Sequence, residues 1–399
     1  MLKNRNLTIL FITLVVVMLG FGIIIPILPF YVEQFGGGGK EMGYLMAIFS
    51  VMQFIFSPIW GNLSDRFGRK PILMVGILGN AISMIILGLS NSLWMLYLSR
   101  GLAGILSSAT LPTSMAFISD STSERERGGG MGIIGAAMGL GMVLGPGVGG
   151  VMVQISLTAP FYFASAVSFV ALLLVWIFLP ESLPSEKRIH TNRIQGPQFK
   201  KMVEALSTPI GFLLILAFLH NFALTNFEGI FSMYSMMRYN YNEVTVGIIL
   251  TFVGLVSAIV QGVLTGPATR RFGDVRVIKV SLFASIFGFS FMLLAKTLPA
   301  VILTAGFFVL ANSMLRPGVS SLISKRSPYP QGMAMGLNNS YMSLGRIIGP
   351  LWAGSVLDMN VFYPFTTGAI IMLFGFVASL FFLKSDSVGI EIPILADEF

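Results

Sequence analysis

Runs of apolar residues about 20 long, the length an α-helix needs to cross the hydrocarbon core of a bilayer, recur twelve times along this chain. They read at 7–30, 41–62, 70–90, 92–119, 128–153, 159–179, 209–236, 243–268, 274–296, 298–324, 331–357 and 360–384. The first is too long for a signal peptide and no small-residue cleavage site follows it, so it reads as a retained span. Composition removes the competing classes. Of 399 residues, 55% are apolar and 11% charged, whereas a soluble chain has roughly 45–50% and about a quarter. So few charges cannot cover the surface of a soluble chain this long, which excludes a soluble enzyme and, more firmly, a disordered chain. Without cysteine there is no disulfide, thiol catalyst or Cys-ligated zinc. His190 and His220 are the only histidines, which argues against a histidine metal site. No metal and no cofactor is expected.

The placement of Lys and Arg sets an orientation. Even-to-odd loops and the two termini hold 19: Lys3, Arg5, Arg66, Arg69, Lys70, Arg125, Arg127, Lys187, Arg188, Arg193, Lys200, Lys201, Arg270, Arg271, Arg276, Lys279, Lys325, Arg326 and Lys384. The odd-to-even side holds Lys40, Arg238 and Lys296. Positive charge marks the cytoplasmic side, so both termini and the long polar interval 180–208 are expected inside. The net charge of +8 is therefore a topology signal. It is not a nucleic-acid footprint, because the cations are spread over loops without interleaved aromatics.

The chain also repeats itself. Gly61-Asn62-Leu63-Ser64-Asp65-Arg66-Phe67-Gly68-Arg69 aligns with Gly266-Pro267-Ala268-Thr269-Arg270-Arg271-Phe272-Gly273-Asp274 at an offset of 205. Pro112 and Pro317 share that offset, and Gly145-Pro146 matches Gly349-Pro350 at 204. An internally repeated bundle with broken helices is the architecture of secondary transporters, whose site lies at the repeat interface near mid-membrane. The expected fold is all-α and integral to the membrane: twelve transmembrane helices in two pseudo-symmetric six-helix bundles. The expected divisions are residues 1–180, a cytoplasmic linker at 181–208, and 209–399.

Three motifs carry a resemblance. The first is the loop Gly61-x-x-x-Asp65-Arg66-x-Gly68-Arg69-Lys70. Its glycines permit tight turns and close helix approach. Asp65 can pair with Arg69 or sit at a helix N-terminus, where a carboxylate gains roughly 0.3–2 kcal/mol. In the second copy Arg270 replaces the aspartate and Asp274 the arginine, so the same pairing is not possible there. The second motif is Leu19-Gly20 with Pro26 and Pro29 in span 1, where two prolines remove backbone donors and bend the helix. The third is Gly141-x-x-x-Gly145-Pro146-x-x-Gly149-Gly150 in span 5. Glycines four apart leave a groove for a neighbouring helix. Together these resemble the signature loop, first helix and antiporter motif of the major facilitator superfamily, in its twelve-helix drug/proton antiporter branch. The resemblance implies that the Asp65 loop is a cytoplasmic gate and that the span-5 segment seals the path against proton leak. A positive-inside turn and an ordinary glycine packing face are the plainer readings of the same residues.

A charge near the bilayer centre costs at least about 2.5–3.5 kcal/mol and marks a functional site by default. Mid-span charges are Arg100, Glu228, Arg316 and Arg346. Glu228 is the only carboxylate well inside a span, roughly 9 Å beyond the middle of span 7 at the helical rise. A carboxyl group in a partly apolar cavity can take up and release a proton near neutral pH; His220, two turns away, is its nearest rival. Thr225-Asn226-Phe227-Glu228-Gly229 resembles the acidic seventh-helix site of quinolone and dye exporters. Alternatively, Glu228 pairs with Arg316 or Arg346 and ties the halves together. Arg100 resembles the family's fourth-helix arginine, implied in proton transfer. An arginine stays charged, so it would tune a carboxylate rather than carry the proton; Arg346 could do the same for Glu228. Arg316, just before Pro317, reads equally as structural or functional.

Phe222, Asn226, Phe227, Phe231 and Tyr234 of span 7, with Asn338 and Tyr341 of span 11, are the candidate cavity residues. Thirty-four Phe and 24 Met suit an adaptable lining, although most of them must face lipid or neighbouring helices. Gly36-Gly37-Gly38-Gly39 reads as a flexible connector, with no phosphate-loop context. The expected function is proton-coupled antiport, exporting amphipathic, structurally diverse drugs or dyes by rocking the two halves. The expected partners are the substrate, protons and the bilayer, with no nucleic acid, for a monomer in the cell membrane. An exporter dedicated to one metabolite (a sugar, lipid or siderophore), a proton-coupled importer and a non-transporting sensor are the other readings.

Overall fold

The structure, a computed structural model, describes residues 5–122, 124–188 and 199–383. Lys3, His190, Arg193 and Lys384 lie outside the described residues, as do the side chains of Arg125, Arg127 and Lys187. The described residues form helices and turns, without a strand. Helices α1 (Arg5–Gln34), α2 (Gly39–Phe67), α3 (Arg69–Gly88), α4 (Leu93–Ser121), α5 (Glu124–Met152) and α6 (Ala159–Phe178) precede the linker. After a short helix at Phe199–Ala205 come α7 (Gly211–Tyr239), α8 (Glu243–Phe272), α9 (Asp274–Leu294), α10 (Leu298–Arg326), α11 (Gln331–Met359) and α12 (Tyr363–Phe382). Eleven of these are long and apolar enough to span a bilayer. The other, α11, has the length (29 residues) but carries Asn338, Asn339, Arg346 and Asp358. Large apolar side chains such as Trp94, Trp176, Phe374 and Phe381 are exposed on the outside. That is the surface of a multi-pass membrane protein, whose perimeter meets lipid rather than water.

Four spans are interrupted. In α4 a 3₁₀ turn at Ser107–Ala109 precedes Pro112, and in α10 the helix breaks between Asn312 and Leu315, just before Pro317. The two breaks are equivalent in the repeat. Helix α7 breaks between Glu228 and Phe231, and α8 contains a π turn at Val260–Leu264. Such irregularities are tolerated at membrane depth only where protein or a cavity surrounds them. Helix α1 runs unbroken through Pro26 and Pro29. Pro29 has no N–H for the carbonyl of Ile25; the Ser232 hydroxyl donates to that carbonyl instead, at 3.1 Å from the other half.

The two faces of the molecule differ. On one, here the loop face, lie the Gly61–Arg69 loop and the helix Phe199–Ala205. On the other, the far face, the halves close on each other. Added side chains at Gly39 and Gly43 of α2 would run into the backbone of Gly354 and Pro350 of α11. Gly247 and Gly254 of α8 abut Pro146 and Val143 of α5 in the same way. Asp358 Oδ1 accepts from the Gly39 N–H (2.7 Å) and Oδ2 from the Lys40 N–H (3.0 Å), so the end of α11 caps the start of α2. The four-glycine run is thus no flexible connector. Gly36 makes a left-handed turn (φ 74°), and Gly39 is the first residue of α2, packed against α11, where any larger residue would collide. On the loop face the same four helices stand apart. Side chains added at Gly61, Gly135, Gly262 or Gly332 would meet no atom within 4 Å. The molecule is open on the loop face and closed on the far face.

Candidate functional site

The break in α7 puts Glu228 at the junction of the two halves. A side chain added at Gly229 would touch Met46 of α2 and Pro350 of α11, each at 3.9 Å. Among the described residues Glu228 has no hydrogen-bond or ion-pair partner, and Arg346 and Arg316 are the charged groups that act on it. The ion pairs among the described residues are Arg69–Asp65, Arg69–Asp120, Lys200–Glu204 and Lys325–Asp274, so no mid-span charge is tied up in one. Glu228 thus lies within electrostatic reach of two guanidiniums, Arg346 and Arg316, without being locked to either. Arg100 stands apart. Its guanidinium is buried against the Phe49 ring, 4.5 Å from the centroid, and Nε and Nη1 have no partner among the described residues.

The candidate cavity residues of span 7 divide by face. Phe222 and Asn226 lie on the α11 side: Phe222 backs onto Gly345 and Gly349, and the buried Asn226 amide donates to the Phe222 carbonyl at 3.2 Å. Phe227, Phe231 and Tyr234 line no open space. The Phe227 ring packs 4.9 Å from Phe231 and 4.8 Å from Phe308. Tyr234 packs 4.3 Å from Phe365 and donates to the Met292 carbonyl at 3.2 Å. These three form a stripe at helical spacing turned into the core of the second half. Glu228, one residue on from Phe227, is rotated about 100° away from it. Among the span-11 candidates, Asn338 donates to Ser320 Oγ at 3.0 Å, and Tyr341 donates to the Met202 carbonyl of the linker helix at 2.9 Å.

At the loop face the Asp65 motif builds a network around Arg69. The guanidinium donates to Asp65 (2.5 Å), Ser64 (2.8 Å) and Asp120 (2.9 Å). Glu181 accepts from the backbone N–H groups of Arg69 (2.8 Å) and Lys70 (3.1 Å), capping α3. Gly68 has φ 107°, and a side chain there would strike the Glu181 carboxylate. Arg66 lies over the Phe67 ring, exposed. The second copy has the charges exchanged. Asp274, equivalent to Arg69, accepts from Lys325, equivalent to Asp120, at 2.5 Å and from Ser321 at 3.0 Å. The sequence comparison identified Asp65 and Arg69 but missed Asp120 and Glu181. Their signal was present: carboxylates at the ends of spans on an otherwise cationic face.

The span-5 glycines serve two neighbours. Gly141, Gly145 and Gly149 face α1, where a side chain at Gly145 would meet Gly22 Cα at 2.5 Å. Gly147 and Gly150 face Thr251 and Val244 of α8, and Pro146 presents its carbonyl to Gly247. In the second half Gly345 and Gly349 pack on α7 as Gly141 and Gly145 pack on α1.

Comparison with known proteins agrees with this geometry. The sequence profile of the Major Facilitator Superfamily matches residues 10–350 and again 213–395. Multidrug resistance proteins 2 and 1 of Bacillus subtilis (strain 168) are each 32% identical, covering 90% and 95% of this chain and 90% and 96% of their own. Quinolone resistance protein NorA of Staphylococcus aureus is 28% identical over 94% of this chain and 96% of its own. Among solved structures, the human organic anion transporter MFSD10 superposes with a TM-score of 0.70 at 26% identity, over 94% of this chain and 99% of that one. The nucleoside transporter NupG superposes at 0.77 with 16% identity, over 96% and 100%, which speaks to the fold alone. The repeat, the broken spans and these matches lead to one conclusion: the chain belongs to the Major Facilitator Superfamily and is a multi-pass membrane transporter, not an enzyme.

Proposed function

We propose that this protein is a proton-coupled antiporter that exports amphipathic drugs or dyes from the cytoplasm by alternating access. The observation that carries the reading is Glu228: a carboxylate at the broken seventh helix, unpaired, between the halves. In this reading Glu228 carries the proton, and Arg100 and Arg346 adjust the field around it. Proton and substrate occupy the chamber in turn, so inward proton flow drives efflux. Phe222, Asn226, Phe227, Phe231, Tyr234, Asn338 and Tyr341 surround the substrate path, all of them buried in this conformation, and become accessible to substrate as the halves move. The Gly61–Arg69 loop closes the cytoplasmic side, and Gly141, Gly145, Pro146, Gly149 and Gly150 keep the α1–α5 path tight. The names of the multidrug and quinolone resistance relatives support the substrate class.

The cation count supports the orientation: the loop face is cytoplasmic, both termini lie inside, and the membrane is the cell membrane. The protein works as a monomer, with one bundle at 1–180, a linker at 181–208 and the second bundle at 209–399. The test is substrate-induced proton release in proteoliposomes, comparing Glu228→Gln with wild type. Coupled efflux should fall by at least about tenfold while substrate still binds. Undiminished coupling in the variant would remove Glu228 from the role.

A further inference from the structure

Helices α2 and α8 hold equivalent places in the two halves, but their first turns are capped differently. Helix α8 carries its own cap: Asn242 stands just before it, and its Oδ1 accepts from the Thr245 N–H at 3.0 Å. The residue just before α2 is Gly38, which lies 204 positions before Asn242. The offset becomes 205 by Gly61 and Gly266 because the π turn at Val260–Leu264 of α8 takes up one residue more than an α turn. Glycine has no side chain to offer as a cap, and the opposite half supplies one. Asp358 accepts from the N–H groups of Gly39 at 2.7 Å and Lys40 at 3.0 Å, while Glu41 takes the Gly38 N–H at 2.7 Å. Asp358 is in reach because α11 runs on to Met359. Its counterpart in the first half, Gln154, falls in the turn beyond the end of α5 at Met152.

A cap borrowed from the other half depends on a closed far face, and a cap carried in the same half does not. When the far face opens, α8 keeps Asn242. Helix α2 loses both carboxylate bonds, and Gly38 has nothing to replace them. Those bonds are the strong kind, because the acceptor is charged and sits at the positive end of a helix. Another bond across this face, from Ser232 to the Ile25 carbonyl, is neutral. On the α5–α8 seam the halves meet by close packing at Gly247 and Gly254. Asp358 is exposed, so letting go leaves its charge in water and the step is reversible.

We propose that Asp358 is the outer latch of the transport cycle. It is a positioning residue on the second half that grips the start of α2 while the far face is closed and releases it when that face opens. It thereby sets the balance between the two states. Such a latch presupposes the alternating access proposed above and names the residue that holds its outer side shut.

The test separates the grip from the cap. Asp358→Ala removes both, and adding Gly38→Asn returns the cap alone. Gly38 has an extended backbone (φ −121°, ψ −154°) that suits a cap residue. The atom nearest to a side chain there belongs to the Asp358 carboxylate, which the first change removes. The reporter is Ser232→Cys in this cysteine-free chain, buried between the halves against Ile25. In nanodiscs its rate of maleimide labelling follows the fraction of molecules with the far face open, and thermal unfolding is measured alongside. Asp358→Ala should raise the labelling rate about tenfold, as for losing a charged hydrogen bond, and lower the unfolding temperature. The double variant should recover the unfolding temperature but keep the fast labelling. An unchanged rate in Asp358→Ala, or a return to the reporter's own rate in the double variant, would make Asp358 a helix cap and nothing more, and would leave the exporter reading intact. No labelling in any of the three chains, while they still export dye, would overturn far-face opening and the latch with it.

Discussion

Arg100 shows how far a single residue can be read from packing. Its buried guanidinium has Nε and Nη1 without a partner among the described residues, and it lies over the Phe49 face at 4.5 Å. A cation over an aromatic ring returns about 0.5–2 kcal/mol, less than the several kcal/mol that burying an unpaired charge costs. Stability therefore does not account for Arg100, whereas a role in the transport cycle would. Arg100→Met keeps the length and removes the charge. It should leave the unfolding free energy in detergent unchanged or raise it by about 1–3 kcal/mol, while substrate transport drops by at least about tenfold. Thermal unfolding and vesicle uptake on the same preparation would separate the two. A variant that loses stability in step with activity would make Arg100 a structural residue. The opposite case is Arg69, whose guanidinium has three side-chain partners and whose charge the fold fully uses.

At the scale of elements, the contact between α1 and α5 is set by absent side chains. A Cβ at Gly145 would meet Gly22 Cα at 2.5 Å and the Leu19 carbonyl at 2.8 Å, and backbone cannot step aside as a flexible side chain can. Gly145→Ala should therefore cost about 1–3 kcal/mol. Gly139→Ala, in the same helix but with no neighbour within 4 Å, should gain about 0.5–1 kcal/mol from helix propensity alone. Chemical denaturation of the two variants should move in opposite directions; equal shifts would mean that α5 is not gripped at Gly145. Much at this scale was legible in the sequence, because spans, glycine spacing and the repeat are local patterns. Glu228 was legible because mid-span charge is scarce. What the sequence did not disclose depends on residues far apart in it. Asp358 capping α2 joins positions 319 apart, and Glu181 capping α3 joins positions 112 apart. The division of span 7 into a side that packs on α11 and a side turned into the core of the second half was also hidden, since Phe and Tyr suit both and α10 and α12 decide which they meet.

For the whole molecule, the closed far face predicts the geometry of the closed loop face. Helices α2 and α11 are antiparallel, with Gly39 against Gly354 and Gly43 against Pro350. The same register continued along both helices pairs Gly61 with Gly332. Helices α5 and α8 pair Val143 with Gly254, and two turns further that register pairs Gly135 with Gly262. All four glycines now face open space. Rocking the halves about the chamber would bring them together as the far-face pairs part, each small residue allowing the close approach already seen at the other end. A native chain without cysteine makes this directly testable with the double variant Gly61→Cys, Gly332→Cys. A disulfide needs Cα atoms within about 7 Å, so oxidation in the loop-open state should give little cross-link. Conditions that drive the cycle, substrate with an imposed proton gradient, should raise the yield and stop transport. Reduction should then restore it. Cross-linking that leaves transport running would show that the α2 and α11 loop-face ends need not separate during the cycle, and the rocking motion would have to be replaced by a smaller one.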